Sequence, residues 1–215
     1  MADNITKKPP RGKIKFNITL SEEQKESKSN ILSHPYNFIM GKAGSGKTLL
    51  AVQVALDMFF TRQVNKIVIT RPTVSNEDNG YLPGSLNEKM EPWTRCFFDI
   101  FEKYLTHNQM DRAIRIEPLG YMRGRTFEDT LMLADEMQNS TENQMLMLLT
   151  RVGPRTRIVI TGDLQQSDLG DENGLRNLTK NLSLYHTDYI EHVDMDEDDI
   201  IRHPAVNEVL KILQN

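Results

Sequence analysis

Residues 37–60 read NFIMGKAGSGKTLLAVQVALDMFF, and no other stretch constrains the fold as tightly. A short apolar run leads into Gly41, which is followed by four residues and then by Gly46, Lys47 and Thr48. That spacing is G-x-x-x-x-G-K-[ST], in which backbone N–H groups turn inward around phosphate oxygens. Glycine permits the approach because it has no Cβ. Lys47 brings a point charge to the outer phosphates and Thr48 a hydroxyl for Mg²⁺, while the helix that begins there points its positive end at the anion. At average glycine usage, a chance match in a chain of this length has odds of roughly one in a hundred. Phosphate binding is therefore assigned to Gly41, Ala43, Gly44, Ser45, Gly46, Lys47, Thr48 and Leu49.

The rest of the chain alternates in the same manner. KIVIT (66–70), TLMLADE (130–136) and RIVITGD (157–163) are apolar through their middles, as strands covered on both faces are. RIEPL (115–119) is a weaker strand and HTDYIEHV (186–193) an edge strand. Helical spacing marks 48–60, 141–151 and 175–182; a further helix follows Ser21 as N-cap, and SLNEKMEPWTRCFFDIFEKYL reads as helix interrupted or started at Pro92. PAVNEVLKIL is a last helix with Pro204 at its first position. This order predicts an α/β fold, a parallel sheet flanked by helices on both faces. Ligands of such sheets sit at the carboxyl ends of the strands.

Length and composition bound the architecture. At 215 residues one core is expected. The domain runs over 16–215, and residues 1–15 form a flexible basic arm carrying Lys7, Lys8, Arg11, Lys13 and Lys15. A net charge of −4 argues against a surface that is basic all over, but not against a local basic patch. Cys96 is the single cysteine, so no internal disulfide forms, and its setting in TRCFFDIF predicts burial. No apolar run is long enough to cross a bilayer and the N-terminus lacks a signal-peptide stretch, so a cytoplasmic protein without a membrane partner is expected. Trp93 and the methionines of MQNSTENQMLML read as core packing.

Two strand ends carry candidate chemistry. LMLADEMQN places Asp135 and Glu136 just past a buried run, where the first holds Mg²⁺ and the second takes a proton from an attacking water. Alone, such a pair is more often a solvated strand end; downstream of GKAGSGKT, the catalytic reading prevails. RIVITGDLQQSD adds Gly162, Asp163 and Gln166, facing the same phosphate. A neutral amide such as that of Gln166 donates to a γ-phosphate oxygen and loses that bond on hydrolysis, so it reports nucleotide state.

TLMLADEMQNST and ITGDLQQSD resemble motifs II and III of superfamily 1 helicases. The chain as a whole resembles the PhoH-family ATPases, with ITRPTV, NGYLPGSLNEKMEPW, LGYMRGRTFEDT, LADEMQNSTENQMLMLLTRVG, ITGDLQQSDLG and DIIRHPAV in family order. The resemblance implies a RecA-like P-loop NTPase core that uses ATP and Mg²⁺ and is linked to RNA or single-stranded nucleic acid. It makes Gln24 resemble a glutamine that recognises adenine, makes Gln138 and Gln166 sensors of nucleotide state, and makes Arg202 a candidate for the γ-phosphate. The run Asp194 to Asp199 reads as an acidic helix start rather than a metal site.

For nucleic acid the candidates are Arg71 and Thr73 after the second strand, and Arg123, Arg125 and Thr126 in YMRGRTF, with Tyr121 or Phe127 to stack on a base. Any of these arginines can equally be tied into ion pairs. Some family members add a PIN nuclease domain, whose acidic site has no counterpart here. Superfamily 1 helicases use two RecA-like domains, whereas this length holds one. A homo-oligomer, a hexameric ring in its closed form, would let a neighbour supply the missing arginine. Three readings follow: an ATPase coupled to nucleic acid and helicase-like in kind, a nucleotide-controlled assembly module without strand unwinding, and a small-molecule kinase, for which no basic lid stands out.

Overall fold

The computed structural model describes residues 19–72, 86–170, 173–182, 184–185 and 187–195, side chains of 86–91 excepted, with Gly12, Ile14, Phe16, Ala205, Glu208, Val209 and Ile212 besides. Arm residues Lys7, Lys8, Arg11, Lys13 and Lys15 lie outside these, as do Thr73, Arg202 and Pro204. Ile14, counted with the arm in the sequence, packs against the core beside Phe16, whose ring meets Tyr104 edge-on at 5.2 Å.

Six strands form one sheet: β1 (Tyr36–Gly41), β2 (Lys66–Thr70), β3 (Ile114–Ile116), β4 (Thr130–Ala134), β5 (Arg157–Gly162) and β6 (Ile190–Met195). Every pairing is parallel and the order is β3-β2-β4-β5-β1-β6. Alternation along each strand divides the core. Ile39, Ile67, Ile69, Leu131, Leu133 and Val159 face one layer, and Phe38, Met40, Val68, Met132, Ile158 and Ile160 the other. The first layer is built on α1 (Glu22–Ser33), α2 (Lys47–Phe60), α3 (Leu86–Phe101) and α4 (His107–Ala113). The second is built on α5 (Glu142–Leu149), α6 (Gly174–Leu182) and a 3₁₀ turn at Leu119–Met122. This is the expected α/β fold with helices on both faces.

β5 lies between β1 and β4, so the carboxylates past β4 approach the phosphate loop across an intervening strand. Several local expectations are corrected. α3 runs through Pro92 instead of starting there. Cys96 is exposed and Trp93 half-buried, whereas Met137 and Met145 are buried as core. Asp194 belongs to edge strand β6 and not to a helix start; the rest of that acidic run lies outside the described residues. Positions 205, 208, 209 and 212 are helical.

A second cleft, of about 470 Å³, opens at the amino ends of the strands between Ser33, Pro35, Arg62, Gln63 and Arg155–Arg157. Its arginines serve the fold. Arg157 donates to the Leu32 carbonyl in the last turn of α1 (2.9 Å), Arg62 follows the carboxyl end of α2, and Arg155 forks onto Asp129 at 2.5 and 2.8 Å. Cations at helix carboxyl ends offset the negative end of the dipole. Among the described residues no helix is long and apolar enough to cross a membrane.

Candidate functional site

At the opposite, carboxyl end of the strands a cleft of about 260 Å³ is lined by Ala43, Gly44, Gly46, Lys47, Thr48, Leu49, Asp135, Glu136, Gly162, Asp163 and Gln166. Three chain segments far apart in sequence thus converge on one space. The loop after β1 owes its shape to glycine. Gly44 and Gly46 have φ of 90° and 85°, and at Gly41 (φ 150°) a Cβ would lie 2.9 Å from the Met195 carbonyl oxygen. Lys47 Nζ donates to the carbonyls of Gly41 (2.6 Å) and Lys42 (2.8 Å), folded back across the loop it belongs to. The hydroxyl of Ser45 is buried.

Asp135 is contacted by hydroxyls from two segments. The Thr48 hydroxyl lies 3.5 Å from one of its oxygens, the Thr161 hydroxyl on the intervening β5 donates to the other, and its own N–H donates to Thr70 O at 3.1 Å. Burial pushes its carboxyl above its ordinary value, opposed by the Thr161 hydrogen bond, raised further by Glu136 and lowered by Arg71. Thr48 and Asp135 offer hard oxygen donors beside a lysine-bearing loop, a set that fits Mg²⁺ with phosphate. Glu136, next in chain, has φ 55°, a left-handed conformation that non-glycine residues seldom hold and that concentrates at functional sites.

Gln166 lines the cleft. Gln138 does not: it is 1 % exposed, its Oε1 accepts the Asp163 N–H at 3.1 Å and its Nε2 donates to Glu136 Oε2 at 2.5 Å. Asp163, whose role the sequence left general, accepts the Ala43 N–H of the phosphate loop (3.2 Å) and the Gln165 N–H (3.0 Å). Gln24 is buried behind the loop. Its Oε1 accepts the Ser21 N–H (3.2 Å) and its Nε2 donates to the Ser45 carbonyl (3.1 Å). Thr161 and Asp163 are the site residues whose contacts sequence reading did not foresee; the visible signal was their place at the end of a buried strand.

The nucleic-acid candidates divide. Arg71 follows β2, close enough to influence Asp135. Tyr121 is 65 % exposed, and Arg123 and Thr126 are exposed near it in sequence. Arg125 is tied into the fold, paired with Glu117 at 2.5 Å and laid over the Phe127 ring at 4.8 Å. Phe127 is buried beneath it, which removes the expectation that its ring stacks on a base. Thr73 and Arg202 lie outside the described residues.

Sheet order, phosphate loop and paired carboxylates define a P-loop NTPase core of RecA-like type. Solved structures agree in fold. The SWI2/SNF2 ATPase core of Sulfolobus solfataricus in complex with dsDNA superposes with a TM-score of 0.50 at 13% identity, over 86% of this chain and 46% of that one. The Hef helicase domain of Pyrococcus furiosus does so with 0.50 at 14%, over 82% and 38%. The family model described as PhoH-like protein matches residues 18–214, and the chain belongs to that family. It is 41% identical to a PhoH-like protein of Bacillus subtilis over 81% of this chain and 56% of the relative. With that of Mycobacterium leprae it shares 38% over 93% and 58%. The chain spans a little over half the length of these curated relatives.

Proposed function

We propose that the chain hydrolyses ATP with Mg²⁺ and couples the reaction to RNA or single-stranded nucleic acid. The observation that carries the reading is the convergence of Lys47, Thr48, Asp135, Glu136 and Gln166 on one cleft. Lys47 exchanges its loop carbonyls for phosphate oxygens, and the glycine-rich backbone supplies N–H donors. Thr48 and Asp135 hold the cation, which when bound neutralises charge on the phosphates. Glu136 takes the proton of the attacking water, and Gln166 donates to the terminal phosphate. Arg202 is assigned to a neighbouring subunit's phosphates in a homo-oligomeric ring. Arg71, Tyr121, Arg123 and Thr126 are assigned to the nucleic acid, through phosphate contacts and one stacked base; strand movement of helicase kind is the finer form of the reading.

ATP turnover across RNA and DNA oligonucleotides at several salt concentrations tests it. Stimulation that weakens with salt is expected, since phosphate contacts release counterions. Turnover indifferent to every oligonucleotide would replace coupling by a nucleotide-controlled assembly module. Glu136→Gln should bind ATP within about twofold of wild type while losing at least about a hundredfold in kcat, the contribution of a general base; normal turnover would remove Glu136 from its role.

A further inference from the structure

Glu136 is placed by an unusual local arrangement. Its backbone is left-handed, it lines the cleft, and the 3₁₀ turn Met137–Asn139 follows at once. What fixes the carboxylate is the amide of Gln138, two residues on. With one end on Glu136 Oε2 and the other on the Asp163 N–H, that amide spans the segments after β4 and β5 and is closed off from solvent. The fit is tight: a Cβ on Gly162 would come within 3.0 Å of Gln138 Oε1 and 2.5 Å of Leu175. The two segments are joined again where Ser167 donates to the Gln138 carbonyl (2.8 Å) and Asp168 N–H to Asn139 Oδ1 (2.8 Å). From Asp163 the path continues to Ala43 in the phosphate loop.

Resting on the ATPase reading of this cleft, we infer that Gln138 is a positioning residue which holds the Glu136 carboxylate for water activation and links it, through Asp163, to the phosphate loop. The buried amide does not line the cleft and its donor bond goes to Glu136, so its effect on the reaction passes through Glu136. A triphosphate entering the loop competes with the Asp163 carboxylate for the Ala43 N–H. Displacement of Asp163 is transmitted to Glu136 because Gln138 holds both.

The test is a double-mutant cycle on the full chain, with Glu136→Gln, Gln138→Ala and the two combined. Fluorescent ATP binding, thermal melting and long-incubation turnover are read for each. Gln138→Ala should lower kcat by tenfold to about a hundredfold, the scale of a misplaced reacting group, with nucleotide affinity within about twofold because the loop contacts persist. In the Glu136→Gln background it should lower the residual rate no further, since its only route to the chemistry is gone. Gln138→Met, of similar size without the hydrogen bonds, should match the alanine variant in rate while melting near wild type. Full kcat in Gln138→Ala or Gln138→Met, or losses that multiply in the combined variant, would overturn the inference and leave the ATPase reading standing. A wild-type chain that hydrolyses no ATP would instead remove that reading, and this inference with it.

Discussion

Asp135 shows the tension between stability and chemistry at a single side chain. Burial disfavours its charge, so its folded carboxyl titrates above the unfolded one. For an acid raised in this way, the stabilisation is fully present below the unfolded value of about 3.9 and is lost as pH rises through the folded value. Asp135→Asn removes the ionisation, and Thr161 can still donate to the amide oxygen. In the nucleotide-free chain the variant should melt above wild type, by a margin that widens from acidic to neutral pH. If Asp135 holds the cation as proposed, the variant should also lose the thermal upshift expected of wild type with Mg²⁺ and ATP. A margin independent of pH would show that burial of the charge is not what limits stability there. The glutamines show what sequence conceals at this scale. Gln138 and Gln166 read alike as sensors, yet one lines the cleft and the other is 1 % exposed, a difference made by side-chain packing around Gly162 and Leu175.

At the scale of elements, helix caps double as fastenings for the site. Ser21 and Gln24 form a capping box at the start of α1, and the same Gln24 amide reaches the Ser45 carbonyl in the phosphate loop. Gln24→Ala should therefore weaken ATP and GTP by similar factors; selective loss of ATP, with GTP unchanged, would instead support the adenine-reading role. Gly174 fastens the other layer: it opens α6 against the start of α5, and a Cβ there would lie 2.6 Å from the Thr141 carbonyl oxygen. Gly174→Ala should cost about 1–3 kcal/mol, the range for overpacking, read as a lower urea midpoint with unchanged slope; an unchanged midpoint would mean that the helix shifts freely. The elements themselves were largely legible in sequence, because parallel strands covered on both faces are continuous apolar runs. Pro92 misled because proline breaks a helix only as a tendency, and α3 continues through it. Cys96 misled because apolar neighbours in sequence do not settle which face of a helix a residue occupies.

Across the whole molecule, what the sequence could not supply was strand order. Alternation implies a parallel sheet and leaves open which strand neighbours which. The insertion of β5 between β1 and β4 is what lets Thr161 reach Asp135 and Asp163 reach Ala43. The cleft assembled in this way gathers Lys47, Thr48, Asp135, Glu136 and Gln166. Among the described residues no arginine lines the cleft, although phosphoryl transfer in this class commonly draws on one delivered from outside. Arg202 of an adjoining subunit is the proposed donor, and mixing separates a neighbour's arginine from the chain's own. Glu136→Gln lacks the base and Arg202→Ala the arginine, so each alone should turn over slowly. If the arginine acts between subunits, mixed oligomers contain interfaces where an intact base meets an intact arginine, and activity should recover on mixing. For random assembly at equal proportions, about a quarter of interfaces are of that kind, so recovery toward a quarter of wild-type turnover is expected. Activity that never exceeds the sum of the two separate variants, in samples shown by co-purification of differently tagged variants to have exchanged subunits, would place the arginine within its own subunit or remove it from the reaction.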